Sequence, residues 1–229
     1  MSFVVASRFN GPPQSGNGGY VAGLIASAIG ETVAVRLHCP VPLERELTLG
    51  PRLDDKWEVH SGERLIATAR PTVVDVETPA PPTYAQALEA SKRYPGHEHH
   101  ELPTCFVCGP ARGHRDGLRI FPGPVDGTSI YAAPWIPDDT LDNGSHKARP
   151  EFVWAALDCP GYFASAYPTL ALLGELAVHI DRLVHIDEAC VIVAWAIGHE
   201  GRKYRAGTAL FDEDGERCAV GVATWITLA

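Results

Sequence analysis

The segment from Gly16 to Gly30, "GNGGYVAGLIASAIG", constrains this chain more than any other. Its helical stretch carries Tyr20, Val21, Leu24, Ile25 and Ile29 among alanines and glycines, and no charge. A helix that is apolar nearly all round offers no face to water, so other elements must cover it on every side. The chain beyond it reads as strand. "ETVAVRLHCPV" alternates, with Val33, Val35 and Leu37 on one face and Ala34, Arg36 and His38 on the other. "RELTLGPRL" and "KWEVHSGERLIATARPTVVDV" continue the pattern, with Ser61-Gly62 as a tight turn, and "FVVASRF" ahead of the glycines is a short β-like run. No crossover helix separates these strands. The order predicts an antiparallel sheet around one buried helix, an α+β arrangement.

The same order returns after residue 104. Between the two runs, "DVETPAPPTYAQALEASKRYPGHEHHELPT" is rich in proline and histidine with a helical patch over Ala85 to Arg93, and reads as a linker. "DGLRIFPG" and "GTSIYAAPWIP" then read as strands, and "RPEFVWAALDCPGYFASAY" as a helix opened by proline. Long β-rich runs complete the chain, and Asp214-Gly215 between two of them signals a hairpin. One central helix with antiparallel strands behind it, twice over, suggests internal duplication despite slight identity. The expected division is 1–78, a linker over 79–104, and 105–229.

This order excludes a dinucleotide-binding reading of the glycines, which needs strands alternating with crossover helices. The spacing fails as well: Gly16 and Gly18 fit G-x-G-x-x-G, but its third position is Val21. A net charge of −9 argues against nucleic acid or anionic lipid as a broad partner. No apolar run is long enough to span a membrane, and "MSFVVASRFN" lacks the basic start of a signal peptide. The expectation is a cytoplasmic protein, its six scattered cysteines reduced.

Glycines at a helix start admit a ligand close to the backbone, and the first N–H groups are unpaired and partly positive. A carbonyl aimed at Gly18 or Gly19 would be polarised there; alternatively the two glycines only let the helix pack against the sheet. The second helix carries Asp158 among apolar residues. Burial would raise its pKa and suit a general base, while the neighbouring Pro160-Gly161 allow a simple local cap instead.

"FNGPPQSGNGGYVAGLIA" and "VRLHCPVPLERELTL" resemble the N-terminal half of double-hotdog acyl-CoA thioesterases of the thioesterase II type. "CFVCGPARGHRDGLRIFPG", "RPEFVWAALDCPG" and "GERCAVGVATWITL" are similar to the opening, the carboxylate-bearing helix and the last strand of single hotdog thioesterases. The resemblance implies two tandem hotdog domains, each a long helix wrapped by an antiparallel sheet, hydrolysing acyl-CoA thioesters between the halves without a cofactor. It implies Gly18 and Gly19 as the amide pair and Asp158 as the carboxylate. The matching positions elsewhere, Ala26 or Ser27 in the first helix and Arg149-Pro150-Glu151 at the start of the second, hold neither acid nor glycines, so one competent site is expected. The supporting threonine and glutamine of the family fall at His179 and near Thr224 or Trp225.

Asn17 and Tyr20 flank the glycine pair and count with Trp154, Arg202 and Lys203 as candidate substrate contacts. Arg202, Lys203 and Arg205 sit in one turn, suited to coenzyme A phosphates or simply to an exposed surface. Trp154 could line an acyl tunnel or fill the core. Cys105-x-x-Cys108 with His97, His99, His100 and His114 nearby invites a zinc site, but a single C-x-x-C is half of the usual pattern. The resemblance accounts for it as part of the hotdog opening, and no metal is expected. Cys159 has no histidine near it in sequence and reads as a buried thiol. A hydratase would place histidine five residues after Asp158, where Phe163 stands. The rival class is a non-catalytic acyl-CoA or lipid-binding module, and a further pairing of whole chains into a homo-oligomer is left open.

Overall fold

Asn17 starts the first long helix. In the computed structural model, which describes residues 1–228, its side-chain oxygen accepts the Tyr20 N–H at 2.9 Å and caps α1 (Gly18–Ile29). Gly30 ends the helix at φ +78°, a left-handed conformation natural to glycine. Strand β1 (Ser2–Val4) precedes α1, and β2 (Val33–Leu37), β3 (Glu46–Leu49), β4 (Trp57–Ser61) and β5 (Arg64–Pro71) come after it. Helix α2 (Tyr84–Ser91) opens on a capping box between Thr83 and Gln86. Then β6 (Gly123–Pro124) and β7 (Tyr131–Trp135) precede two short helices, α3 (Pro150–Ala156) and α4 (Cys159–Ser165). Strands β8 (Ala171–Ile180), β9 (Cys190–Glu200), β10 (Lys203–Phe211) and β11 (Arg217–Thr227) complete the chain.

All these strands join one sheet in the order β1-β3-β4-β5-β2-β8-β11-β10-β9-β7-β6, every neighbouring pair antiparallel. The order repeats itself. In each half the first strand after the helix pairs with the fourth, the fourth with the third, and the third with the second. The second then pairs with the strand before the helix. The halves meet where β2 lies against β8, with Val35 opposite Leu176 and Arg36 opposite Glu175. No helix of the described residues is long and apolar enough to cross a membrane.

The helices cross on the inner side of this seam. A Cβ on Gly23 would lie 2.6 Å from the Glu151 Cα, and one on Gly19 would lie 2.8 Å from the Trp154 carbonyl oxygen. Gly19 and Gly23 are four apart on one face of α1, so two glycines bring α1 into backbone contact with α3.

Two sequence expectations need correction. The helix over "RPEFVWAALDCPGYFASAY" is broken between Ala156 and Cys159, because Pro160 has no N–H to close on the Ala156 carbonyl. "DGLRIFPG" contributes only its last residue, Gly123, to the sheet, where β6 is Gly123–Pro124. The N–H groups of Leu118 and Ile120 go instead to the carbonyls of Phe106 and Val107, across the turn that carries Cys105 and Cys108. The segment over 79–104 is no loose tether: α2 buries Ala87 and Ala90, and the buried Tyr94 hydroxyl donates to the Cys108 carbonyl at 2.9 Å.

Candidate active site at the seam

Asp158 stands in the break between α3 and α4, only 2 % exposed. Its side chain makes no cap to its own helix. It reaches the N-terminus of α1 instead, where one oxygen, Oδ2, accepts the Gly19 N–H at 3.0 Å and the Asn17 Nδ2–H at 2.9 Å. The other, Oδ1, is buried and has no partner among the described residues. Burial pushes the carboxyl pKa up to about 7 against the pull of the Gly19 N–H. The helix break explains how an acid comes to be here: a continuous helix would hold residue 158 in its ladder, whereas the proline break frees it to face the other half.

Asp158 stands on the wall of a pocket of about 120 Å³ whose other walls include His100, Glu101, Tyr162, Phe163, Tyr167 and Trp225. The Trp225 indole N–H is likewise buried without a partner. A buried acceptor and a buried donor left unpaired beside one pocket are costly, and the Trp225 nitrogen lies on the Gly161 side of its ring, where an added Cβ would meet it at 3.2 Å. Gly18, the first residue of α1, is on the same wall, and its N–H has no partner among the described residues. Gly18 also lines a second pocket, of about 530 Å³, shared with Pro12, Leu172 and Leu173. Ile226 and Leu228 lie on its far side.

The sequence candidates divide accordingly. Asp158, Asn17 and the glycine pair come together as expected, but with altered parts. The Gly19 N–H is taken by Asp158, so Gly18 carries the free amide. Asn17 spends its oxygen on the helix cap and its Nδ2 on Asp158, which makes it a positioning residue. Tyr20 is a core residue, stacked on Phe9 with ring centres 4.2 Å apart, its hydroxyl pKa raised to about 12 by burial. Trp154 is buried at the crossing of α1 and α3. Arg202 in the turn between β9 and β10 and Lys203 at the start of β10 are exposed. There the Arg202 carbonyl accepts the Thr227 N–H at 3.0 Å and Lys203 pairs with Ile226. The basic turn is thus a strand's width from Ile226, which lines the second pocket, while Arg202 and Lys203 themselves do not line it. Trp225 is a donor that shows in the sequence only as an aromatic where a glutamine was sought.

His179 stands elsewhere. It is exposed on β8, 3.4 Å from Asp181 and 3.5 Å from the Thr32 hydroxyl. Six residues separate it from Leu173 on the pocket wall, about 20 Å along an extended strand. Matching the strand by sequence set its order but not its register on the pocket. His179→Ala should leave turnover within about twofold of the parent, as a surface change does; a loss of more than tenfold in kcat would return it to the site.

Beside Asp158 lies a cluster of which the sequence shows only half. The sulfurs of Cys105, Cys108 and Cys159 are all buried and within 4.8 Å of one another, with Cys105 and Cys159 at 3.7 Å. The Cys105 thiol is held well below its usual pKa by hydrogen bonds from Cys108 and Cys159 and from backbone N–H groups. The third thiol, Cys159, lies 51 residues beyond Cys108 in the sequence, and proximity across that distance leaves no local signal.

The position related to this site by the repeat is blocked. Ala26 and Ser27 offer no acid there, Pro150 begins α3 without an N–H, and the nearly buried Glu151 pairs with Arg149 at 3.3 Å.

Comparison with known protein families finds no match, and comparison with curated proteins finds none. Solved structures do resemble part of the chain. An uncharacterised protein of Pyrococcus horikoshii is 18% identical, with 48% of this chain and 84% of that one covered and a TM-score of 0.43. A hypothetical thioesterase of Streptococcus pneumoniae with coenzyme A is 7% identical over 44% of this chain and 82% of that one, at 0.42. The PaaI protein of the Escherichia coli phenylacetic acid degradation operon is 8% identical over 42% and 75%, at 0.40. These are likenesses of fold over less than half of this chain.

Proposed function

We propose that this chain is a double-hotdog protein, with halves 1–78 and 105–229 joined by the packed segment 79–104, that hydrolyses acyl-CoA thioesters at the seam pocket. The observation that carries the reading is Asp158, a buried carboxylate with one oxygen unpaired among the described residues, on a pocket shared with the free helix-start amide of Gly18. A water hydrogen-bonded to Oδ1 attacks the thioester carbon, and its proton passes to Asp158. The Gly18 N–H receives the oxyanion. The C–S bond then breaks, the proton moves from Asp158 to the departing sulfur, and a free acid and coenzyme A leave. One well-placed oxyanion donor contributes roughly 3 kcal/mol to such a step. The acyl chain occupies the pocket under Tyr162 and Phe163. The pantetheine arm leaves past Gly18 through the second pocket toward the basic turn.

The test is release of free thiol from short, long and aromatic acyl-CoAs by the parent and by the Arg202→Glu/Lys203→Glu double variant. Turnover of at least one class is expected, with KM raised roughly tenfold in the variant, or ~1.4 kcal/mol, and kcat unchanged. Saturable acyl-CoA binding without turnover would favour the binding-module reading, whose support is that Asp158 already occupies the Gly19 amide. Neither binding nor turnover would sink both.

A further inference from the structure

We propose that Cys105, Cys108 and Cys159 form a zinc site, with its fourth position opening on the seam pocket. Three buried thiols converge here from two places in the chain, two from one tight turn and one from the first residue of α4. Their spacing suits an ion. Zinc–sulfur bonds of ~2.3 Å in a tetrahedron set the sulfurs about 3.8 Å apart. Cys105 and Cys159 are at 3.7 Å, with no disulfide between them.

The surroundings are built for a thiolate at Cys105. The backbone N–H groups of Val107 and Cys108 turn onto the Cys105 sulfur. Asn17 Nδ2 lies 3.9 Å from the Cys105 sulfur and 4.0 Å from that of Cys159. His100 Nε2 lies 3.4 Å from the Cys108 sulfur, while its Nδ1 accepts the Leu102 N–H at 2.9 Å. That leaves the ring proton on Nε2, so His100 donates to a sulfur and is not itself a ligand. Neutral thiols in a core need no such shell of N–H donors; an anionic sulfur cluster does. Gly109 closes the turn where a Cβ would meet the Cys105 and Pro103 carbonyls at 2.5 Å.

Three soft thiolates select zinc over magnesium or calcium. Binding exchanges the thiol protons for the ion, with no change of oxidation state. The ion fastens the turn after the 79–104 segment to the break that carries Asp158, because Cys159 is the next residue. The thiols would hold it whether or not the pocket hydrolyses thioesters.

The experiment is elemental analysis of the full chain purified under reductant, followed by replacement with cobalt. One zinc per chain is expected, and the cobalt form should show a thiolate-to-metal charge-transfer band. Cys105→Ser, Cys108→Ser and Cys159→Ser should each lose the metal, while Cys218→Ser and His100→Ala keep it. If the serine variants do not fold, chelation of the parent should expose three further thiols to a thiol reagent. Parent protein without zinc and without a cobalt thiolate band, full zinc in Cys159→Ser, or a Cys105–Cys159 disulfide in reduced preparations would each overturn the proposal.

Discussion

Asp158→Asn should lower kcat by about 10²–10⁴-fold while the protein folds as before and binds acyl-CoA normally. The fall is the range expected when a positioned general base is removed. The unchanged fold follows from the geometry. The amide oxygen of asparagine can accept both the Gly19 N–H and the Asn17 Nδ2–H that Asp158 Oδ2 accepts, and the amide NH2 takes the place of the orphaned Oδ1. A buried carboxylate with one oxygen unpaired is costly, so a neutral isostere should hold Tm level or raise it.

Asp158→Ala separates the two roles of this side chain. It leaves two buried donors without an acceptor, at ~1–3 kcal/mol each. It should therefore lose both activity and stability. If instead Asp158→Asn also loses several degrees of Tm, or keeps full turnover, then Asp158 serves to tie α1 to the second half and the chemistry lies elsewhere. Thermal unfolding and thiol release on the same samples decide between these.

Legibility in this sequence tracks distance along the chain. Asp214-Gly215 turned as a hairpin, with Gly215 at φ +80°, because turn chemistry is local. The repeat of helix and strands was legible because period and order are local too. Asp158 stood out because an acid among apolar residues is anomalous wherever it folds. The seam between β2 and β8, the reach of Asp158 to the Gly19 amide and the cysteine cluster join residues far apart in the chain, and no window of sequence contains that. His179 shows the converse error: a position aligned along a strand was given a role, though its place on the sheet put it about 20 Å from the pocket. The packing of the 79–104 segment is a related case. Proline and polar residues mark irregular backbone, and irregular backbone can still be packed, as the buried Tyr94 is.

Gly19→Ala and Gly23→Ala should each destabilise the protein by roughly 2–3 kcal/mol, a Tm drop of about 5–10 °C for a chain of this size. In an exposed helix the same change stabilises, by up to about 1 kcal/mol. Here the added methyl has nowhere to go. At Gly19 it would meet the Asp158 Cβ at 2.5 Å and the Trp154 carbonyl oxygen at 2.8 Å; at Gly23 it would meet the Glu151 Cα at 2.6 Å. Backbone atoms cannot rotate aside, so α1 and α3 must part. Gly18→Ala is the contrast, because its nearest obstacle is the Leu173 Cδ2 at 2.7 Å, the movable end of a side chain, and it should cost less than about 1 kcal/mol. Activity divides the variants differently. Gly19→Ala displaces Asp158 and should lose turnover; Gly18→Ala narrows the passage between the pockets and should raise KM; Gly23→Ala, a helical turn away, should keep its kcat wherever it remains folded. A rise in Tm for Gly19→Ala or Gly23→Ala would mean that the helices do not cross at these glycines, and the contact that delivers Asp158 to the Gly19 amide would go with them.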